Sequence, residues 1–358
     1  MVSFAEKPTV IPIEGRGSNA DRPRTLRDSQ LRRLRKVEKN LDKFYMTTEF
    51  DDDMLGPFHI IRGPPFNIDD DDDPIDLDRR FFLPGPVEDM ERGIKVTNET
   101  SFTDHIRWPQ FEPIDEGLRR EEDKDYADAP LHERLNLYYG RMDGDAKEGA
   151  HRGFYCEQAA EVTSSWQHHS YVGASTRPAF YDIRFSRRTG QAYADFWQSG
   201  EYYRWLPGSD EMDSLHPSVP HAVATVYDSA RPHAQGMLRS ELRVAVFLLK
   251  EQMRQKDVYV DHCICPVLVF GFHGRFTARI TQAYVENDNV IIRPSRLIDI
   301  DTPVISPEVR LIIRWLNSRP VGDTHSPTPE SEQLNRRAST PVGDVAARSM
   351  ASLAIDGQ

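Results

Sequence analysis

The chain has 358 residues and a mass of 41.1 kDa, which corresponds to about two domains at roughly 150 residues each. Hydrophobic residues make up 38% and charged residues 28%, so one sizeable core is expected. No stretch approaches the roughly 18 apolar residues of a membrane helix, which excludes a transmembrane class. The N-terminus lacks the pattern of a secretory signal, and three cysteines cannot build a disulfide framework. An intracellular, reducing setting is expected.

The formal charge of -12 is distributed unevenly along the chain. Residues 1–43 carry 11 Lys and Arg against 6 Asp and Glu, whereas residues 44–139 carry 10 against 25. An acidic run of this kind is typical of a solvated, disordered segment. It repels nucleic-acid phosphates, and it can instead mask a basic surface or bind a basic partner.

The first regular element is a basic amphipathic helix over residues 25–45, which follows a disordered arm over residues 1–24. The apolar stripe of this helix repeats at spacings of 3, 4 and 3 and consists of Leu34, Val37, Leu41 and Phe44. Its opposite face is cationic and consists of Arg32, Arg33, Arg35, Lys36 and Lys39. We expect the stripe to dock on the main domain. The run RRLRK at 32–36 also matches a nuclear import signal, a short and unspecific motif.

Residues 46–127 form an acidic, Pro/Gly-rich segment that we expect to be largely irregular, because Pro and Gly at this density interrupt helices and strands. The run Asp69–Asp73 invites comparison with a calcium site. Calcium ligands, however, converge from alternate positions around a turn, often with a Gly at the bend, and DDDDDPIDLD has neither feature. No metal site is predicted here, and Trp108 and Phe111 are the candidate docking anchors.

An α+β domain is predicted over residues 128–318, with a mostly antiparallel sheet packed on helices. Its first element is a short helix that starts at Asp128 and stops at Gly140. A β-hairpin follows, because apolar and polar residues alternate around Ile183 and around Tyr193, on either side of the turn sequence SRRTG.

The clearest core is predicted at 237–318, where the pattern indicates an α-β-β-β-α unit. A helix with a wide apolar face at 237–256 precedes three strands, PVLVFGF, FTARITQAYVE and NVIIRPSRLIDI. Turns are expected at Gly274 and at Asn287–Asn289, and Ser306 caps the closing helix.

A disordered tail is predicted over residues 319–358, which are rich in Pro, Ser, Thr and Gly. Three residues of this tail are candidate phosphorylation sites. Ser339 follows Arg336–Ala338 in the manner of a basophilic kinase substrate, and Ser326 and Thr328 each precede a proline. A phosphate there would add negative charge that the basic helix or arginines on the strands can bind.

The α-β-β-β-α order resembles the core of the PD-(D/E)XK nucleases, over about 80 residues and in topology alone. That family holds a divalent metal with carboxylates and uses a lysine on a strand, so the resemblance implies such groups. Glu241 and Asp261 are the carboxylates that could meet a metal, but the strands at 266–284 carry none and no lysine follows Lys256. The set is chemically incomplete, which leaves a catalytically degenerate nucleic-acid protein as an alternative.

The cysteines and histidines form no recognisable metal or nucleophile motif. The run DHCIC at 261–265 lacks the second ligand pair that a zinc site needs, and its cysteines behave as small apolar groups on one strand face. Cys156 with His151, His168 or His169 has no nucleophile signature around it. The sequence also lacks GxSxG, GxxxxGK[ST] and GxGxxG, and neither a metal nor a cofactor is predicted.

Arginines interrupt the apolar strand region and are the candidate anion-binding residues: Arg275, Arg279, Arg293 and Arg296. If Asn287 and Asp288 form a two-residue turn, Arg279 faces Arg296 across the hairpin, which requires an anion or a carboxylate between them. In one interpretation the arginines form salt bridges with nearby acids, namely Asp299, Asp301, Glu308 or Glu241. In the other, their planar guanidinium groups bind a small phosphate or carboxylate ligand.

The same stretch is similar to a family of uncharacterised filamentous-fungal proteins. The similarity rests on Pro266–Leu268, Gly274-Arg275, Ala278-Arg279-Ile280, Ala283-Tyr284 and Arg293–Arg296. It covers about 60 residues, and Asn-Asp-Asn stands where the family has an acidic-glycine turn. The resemblance implies a fungal source and an intracellular α+β domain, and it brings no activity.

The leading hypothesis is a non-catalytic intracellular interaction protein, cytoplasmic or nuclear, whose partner is another protein. An enzyme or binding protein for a small anionic ligand at the strand arginines is the first alternative. The degenerate nuclease-like protein is the second. Neither a membrane nor, in the leading hypothesis, nucleic acid is expected as a partner.

Overall fold

A computed structural model of the protein describes residues 21–44, 47–69, 80–99, 108–168, 182–185, 192–195, 197–205 and 218–325. Helices and a mainly antiparallel sheet occur together in these ranges, so the predicted α+β class is confirmed.

The helices are α1 (Asp21–Lys43), α2 (Asp52–Leu55), α3 (Val87–Glu99), α4 (Glu116–Asp125), α5 (Leu131–Glu161), α6 (Arg239–Arg254) and α7 (Pro307–Leu316). The strands are β1 (Glu49–Phe50), β2 (Ile60–Arg62), β3 (Phe82–Leu83), β4 (Trp166–His168), β5 (Asp182–Phe185), β6 (Ala192–Asp195), β7 (Trp197–Trp205), β8 (Ala222–Asp228), β9 (Met237–Leu238), β10 (Val267–His273), β11 (Thr277–Glu286), β12 (Asn289–Pro294), β13 (Ile298–Asp299) and β14 (Arg319–Pro320). A 3-10 turn spans Gly56–Phe58.

The main sheet has the order β2-β12-β11-β10-β8-β7-β4, and β13 pairs with β11 beside this path. Strands β8 and β10 are parallel, as are β2 and β12, and the other neighbours are antiparallel. Between β11 and β12, Asn287 and Asp288 have φ of 48° and 62°. Positive φ at both positions is the geometry of a two-residue hairpin turn, so the expected turn is confirmed.

Helices cover both faces of the sheet. Because side chains alternate along a strand, Val267 and Val269 of β10 pack in one apolar cluster with residues of α1 and α6. Leu268 and Phe270 point the other way, into a second cluster with residues of α3, α5 and α7. The strands are therefore buried on both faces, and α1 and α6 share one side.

The elements predicted most clearly from periodicity are present. Helix α6, strands β10 to β12 and helix α7 follow in the expected order, and the Ser306 hydroxyl accepts a hydrogen bond from the Val309 amide at 3.3 Å. Strands β5 and β6 form the predicted hairpin. Helix α1 begins at Asp21, before the expected Thr25, and its stripe docks as expected except for Phe44, which is 44% exposed.

The acidic segment differs from the expectation for residues 46–127. It contributes strands β1, β2 and β3 and helices α2, α3 and α4, and β2 is the edge strand that pairs with β12. Many of its apolar side chains are buried: Phe50, Leu55, Phe58, Ile60, Phe66, Ile68, Phe81, Phe82, Met90 and Ile94. These residues enter the core singly or in short runs between exposed acids and Pro/Gly turns, so they show no helical or strand periodicity. The described residues up to Thr324 belong to one compact unit. The folded part therefore does not begin at 128, and it does not end at 318, because β14 pairs with β3 and Thr324 is buried.

Helix α5 corrects the expected stop at Gly140, because it continues to Glu161. Its later glycines serve close packing. A Cβ at Gly149 would lie 2.7 Å from the carbonyl oxygens of Gly274 and Arg275, and one at Gly153 would lie 2.6 Å from the Tyr227 ring. Glycine thus lets this helix approach the ends of β8, β10 and β11, which local sequence does not reveal.

Several predictions lie outside the described residues: most of the arm over 1–24, the run Asp70–Asp73, most of the tail over 319–358, and the candidate phosphorylation sites Ser326, Thr328 and Ser339. In the ranges that the structure does describe, none of the helices combines the length and apolar character needed to cross a bilayer.

Helix α6 lies against the sheet with Leu249 fully buried between α1 and the strands. We predict that Leu249→Ala lowers the free energy of unfolding by about 2–5 kcal/mol, from lost transfer energy and the cavity that remains. Urea denaturation measures this loss. Val304→Ala, at a 67% exposed position, is the control and should have little effect; a loss under about 1 kcal/mol for Leu249→Ala would place the core elsewhere.

Candidate functional site

A charged cluster lies fully buried between α6 and the sheet. It consists of Glu241 in the first turn of α6, His273 at the end of β10 and Arg279 on β11, and all three side chains are 0% exposed. The Arg279 Nε donates to Glu241 Oε1 at 2.9 Å, and its second nitrogen, Nη2, donates to Oε2. His273 Nε2 lies 3.1 Å from Oε1. We call these three residues the buried ion-pair cluster.

The local backbone makes room for this cluster. Gly271 of β10 lies directly opposite Arg279 in the antiparallel register. A Cβ at Gly271 would stand 2.2 Å from His273 Nε2 and 3.1 Å from Glu241 Oε1, so only glycine leaves the space that the cluster fills. Arg279 also donates to the Gly236 carbonyl oxygen at 2.7 Å, just before β9.

The cluster holds Glu241 as an anion. Burial opposes ionisation of this carboxyl group, but the charge of Arg279 and the hydrogen bonds of His273 and Arg279 outweigh it, and the pKa of Glu241 falls well below its ordinary value. The Leu238 amide donates to Oε2 at 3.0 Å. Both oxygens are thus bound by protein donors, and the guanidinium of Arg279 takes the place that a metal cation would occupy on this helix carboxylate.

The remaining groups of the nuclease comparison do not join the cluster. Asp261 is exposed in the loop after α6. Within the ranges that the structure describes, no three His, Cys, Asp or Glu side chains are grouped so that they could hold a metal ion.

The structure separates the four candidate anion-binding arginines. Arg275 binds Glu148 and the Glu112 carbonyl oxygen, whereas Arg279 binds Glu241. Arg293 donates to the carbonyl oxygens of Pro64 and Pro65 at 3.0 and 3.2 Å, and burial lowers its pKa to about 10. Arg296, which is 42% exposed, lies 2.7 Å from Asp69 and 3.7 Å from Glu308.

These contacts correct the expected meeting of Arg279 and Arg296. The turn has the predicted length, but the two side chains bind different carboxylates, one in the core and one at the surface. Among the acids proposed as partners, Glu241 and Glu308 are used, whereas Asp301 lies 3.6 Å from Arg152. The contacts favour the salt-bridge interpretation over a shared anion site.

The cysteines are buried, as the sequence predicts for core residues. All three are free thiols, and burial raises the pKa of Cys265 to about 12 and that of Cys156 further still. A thiol that resists ionisation is a poor nucleophile. The His262 ring bonds Thr324 at 2.6 Å, so this part of the DHCIC run is structural.

Arg152 is a buried cation that no sequence pattern singles out. Its guanidinium carbon lies 5.1 Å from the centroid of the Trp108 ring, 5.5 Å from that of Phe111 and 3.8 Å from that of Phe276. Trp108 and Phe111 were predicted as docking anchors, and they dock on this cation of α5 and, through Trp108, on the Thr302 carbonyl oxygen at 2.9 Å. The arrangement is a cation–π contact that stabilises the fold.

The outer layer on the α6 side is helix α1. Its acidic residues pair with bases on or just after α6: Asp28 with Lys256, Glu38 with Lys250 and Asp42 with Arg243. The order of these pairs shows that the two helices run antiparallel. Arg27 of α1 is 4% exposed and donates to the carbonyl oxygens of Tyr259 and His262.

The outward face of α1 keeps its cations. Five of them are exposed: Arg32, Arg35, Lys36, Lys39 and Lys43. At 3.6 residues per turn they fall within an arc of roughly 100° and span about 16 Å along the helix. In the part of the chain that the structure describes, no ion pair or hydrogen bond of these five side chains is found. We call them the basic stripe; Lys43 extends the cationic face expected from the sequence, and Arg33 is half-buried beside it.

Comparisons of the chain with protein-family models, with curated proteins and with solved structures found no match. The similarity to a fungal protein family stays a prediction.

We predict that Arg279→Met lowers the free energy of unfolding by about 3–5 kcal/mol, because it leaves Glu241 buried without its main partner. Adding Glu241→Gln to this variant should recover part of the loss. Arg296→Met, at an exposed ion pair, should cost less than about 1 kcal/mol. Urea denaturation of the four proteins gives these values.

If Arg279 instead binds a small anionic ligand, the expected result is different. If phosphate raises the Tm of the wild type and Arg279→Met abolishes that rise while remaining folded, the arginine binds a ligand and the ion-pair assignment fails.

His221 provides a pH-dependent prediction. Burial lowers its pKa to about 4, against 6.5 for the free side chain, and one ring nitrogen lies 3.1 Å from the Val321 carbonyl oxygen. The unfolded chain therefore binds an extra proton between these pH values, and stability falls as the pH drops from 6.5 to 4. The contribution is about 3 kcal/mol. In urea denaturation, His221→Gln should reduce the dependence of the free energy of unfolding on pH. The exposed control His151→Gln should leave it unchanged. An equal pH dependence in the two variants would contradict the prediction.

Proposed function

We propose that this protein is a non-catalytic intracellular interaction protein, in which the sheet and α6 hold α1 as a rigid basic surface for a protein partner. The proposal rests on one observation: the acids Asp28, Glu38 and Asp42 of α1 each pair with a base of the α6 region, so the five cations of the basic stripe give the solvent face of α1 a net positive charge. Apolar burial of Leu34 and Leu41 fixes the helix in that orientation.

The contacts of Glu241 support the non-catalytic part of the proposal. A general base or metal ligand must present a free oxygen to substrate or metal, whereas both oxygens of Glu241 are bound by Arg279, His273 and the Leu238 amide in a solvent-free site. A carboxylate in this arrangement stabilises the junction of α6 and the sheet.

The intracellular setting rests on the three buried free thiols, which suit a reducing compartment. The run RRLRK, which matches a nuclear import signal, is relevant to whether the protein is cytoplasmic or nuclear. It lies inside α1, where Leu34 is 0% exposed, so this segment is presented as a folded helix face and not as an extended peptide. We therefore propose that its cations serve binding of a partner.

The test compares the full chain with two double variants of equal charge change, used as bait in extract from the cells that make the protein. Arg35→Glu with Lys39→Glu reverses the basic stripe. Arg92→Glu with Lys95→Glu is the matched control on α3, where the side chains are 63% and 73% exposed. Quantitative mass spectrometry should find a set of proteins that wild type and control retain and the stripe variant loses.

Equal retention by all three baits would show that the stripe is not the interaction surface. A separate assay tests the non-catalytic part: cleavage of DNA or RNA with Mg²⁺ or Mn²⁺, present in the wild type and lost in a folded Glu241→Gln variant, would overturn it.

A further inference from the structure

We infer that the partner of the basic stripe is an acidic helical segment of another protein, about three turns long, with an apolar residue at one end. This inference rests on the proposed function and specifies the chemistry of its partner. It follows from the length of the stripe, from the apolar side chain at its end and from the charges that surround it.

The stripe has the dimensions of one helix. Four of its cations, Arg32, Lys36, Lys39 and Lys43, recur at spacings of four, three and four residues, so they rise along α1 at about one per turn over roughly 16 Å, with Arg35 beside them. An antiparallel or parallel helix with Asp or Glu at positions i, i+4, i+7 and i+11 places a carboxylate opposite each turn. A partner helix can lie against α1 in this way without any change in the backbone of α1.

Phe44 supplies an apolar contact next to the last cation. The ring is 44% exposed, and it rests edge-on against Phe58 at 5.1 Å and tilted against Phe50 at 6.5 Å. Phe50 and Phe58 are buried, so the exposed edge of Phe44 is held in a fixed place. A partner's Leu or Phe at the corresponding end of the acidic helix would bury this edge, and aromatic anchors of this kind carry much of the energy of an interface.

The surrounding charge favours a short acidic peptide over a polyphosphate. Directly after Phe50 the chain exposes Asp51, Asp52 and Asp53, and the whole protein carries -12. A nucleic acid or an anionic membrane extends beyond the stripe and meets this negative charge, whereas a segment of three turns ends before it. Nucleic-acid affinity also grows with the number of phosphates contacted, which the short stripe limits.

The test measures binding by fluorescence anisotropy, with the full chain and a labelled 14-residue peptide that has four Glu on one helical face and a terminal Leu. Three other probes are a matched peptide with Gln in place of Glu, a single-stranded oligonucleotide, and vesicles of phosphatidylcholine with phosphatidylserine. The proteins are the wild type, Arg35→Glu with Lys39→Glu, the control Arg92→Glu with Lys95→Glu, and Arg35→Gln with Lys39→Gln as a milder variant.

We expect the Glu peptide to bind wild type and control equally, and the stripe variants about tenfold or more weakly. Added salt should weaken binding, and the Gln peptide should not bind. Phe44→Ala should weaken binding further than Tyr126→Ala, which truncates a ring that is 40% exposed on another surface.

Three results would overturn the inference: no binding of the Glu peptide, equal binding to all variants, or stripe-dependent binding of the oligonucleotide or vesicles alone. Its failure differs from failure of the proposed function. If the stripe variant still loses proteins from cell extract while the Glu peptide does not bind, the interaction surface stands and only the partner class is wrong.

Discussion

The structure depends on the charge balance inside one helix–sheet junction. Glu241 enters the core at the start of α6, and a buried carboxylate is tolerable only when donors surround it. Arg279, His273 and the Leu238 amide supply those donors, and Gly271 gives them space. This junction fixes where α6 lies on the sheet, and the position of α6 determines where α1 can dock.

The same rule of charge pairing gives the outer layer its character. Across the contact between α1 and α6, acids of the first helix meet bases of the second, beside a dry seam that includes Leu34 and Leu249. Such pairs contribute little energy individually. Burial of the apolar stripe orients α1, and the pairs neutralise the acids of α1 that lie next to α6. The consequence is a positively charged surface on a protein whose net charge is negative. Such a local charge contrast can select a partner of opposite charge.

Much of the fold could be predicted where a short segment of sequence shows by itself the periodicity or the turn residues of an element. Helix α6, the three strands after it and the Asn287-Asp288 turn follow from periodicity and turn chemistry alone. The prediction was wrong at Gly140, because glycine is a poor local helix former but a good contact residue, and α5 uses later glycines to touch distant strands. Phe66 was missed as a core residue because it is isolated between prolines and polar residues, and Phe82 because its short apolar run, Phe81–Leu83, lies between arginines and a Pro-Gly-Pro turn.

The candidate site was predictable only in part. Glu241 was one of several acids available to Arg279, but which pair forms depends on strand register and on the depth of α6, and both are tertiary properties. His273 carried no signal, since a single histidine at a strand end has many roles. The cationic face of α1 was visible in the sequence, whereas its separation from the paired acids required knowledge of the neighbouring helix.

Helix α1 is a docked part of the fold that holds the basic stripe outward. Native-state hydrogen exchange of the full chain, read by mass spectrometry, tests this directly. We expect the amides of α1 from Leu31 to Leu41 to exchange almost as slowly as those of α6, because opening α1 exposes its apolar seam. Exchange of these amides at the rate of an unfolded peptide, with α6 still protected, would contradict it.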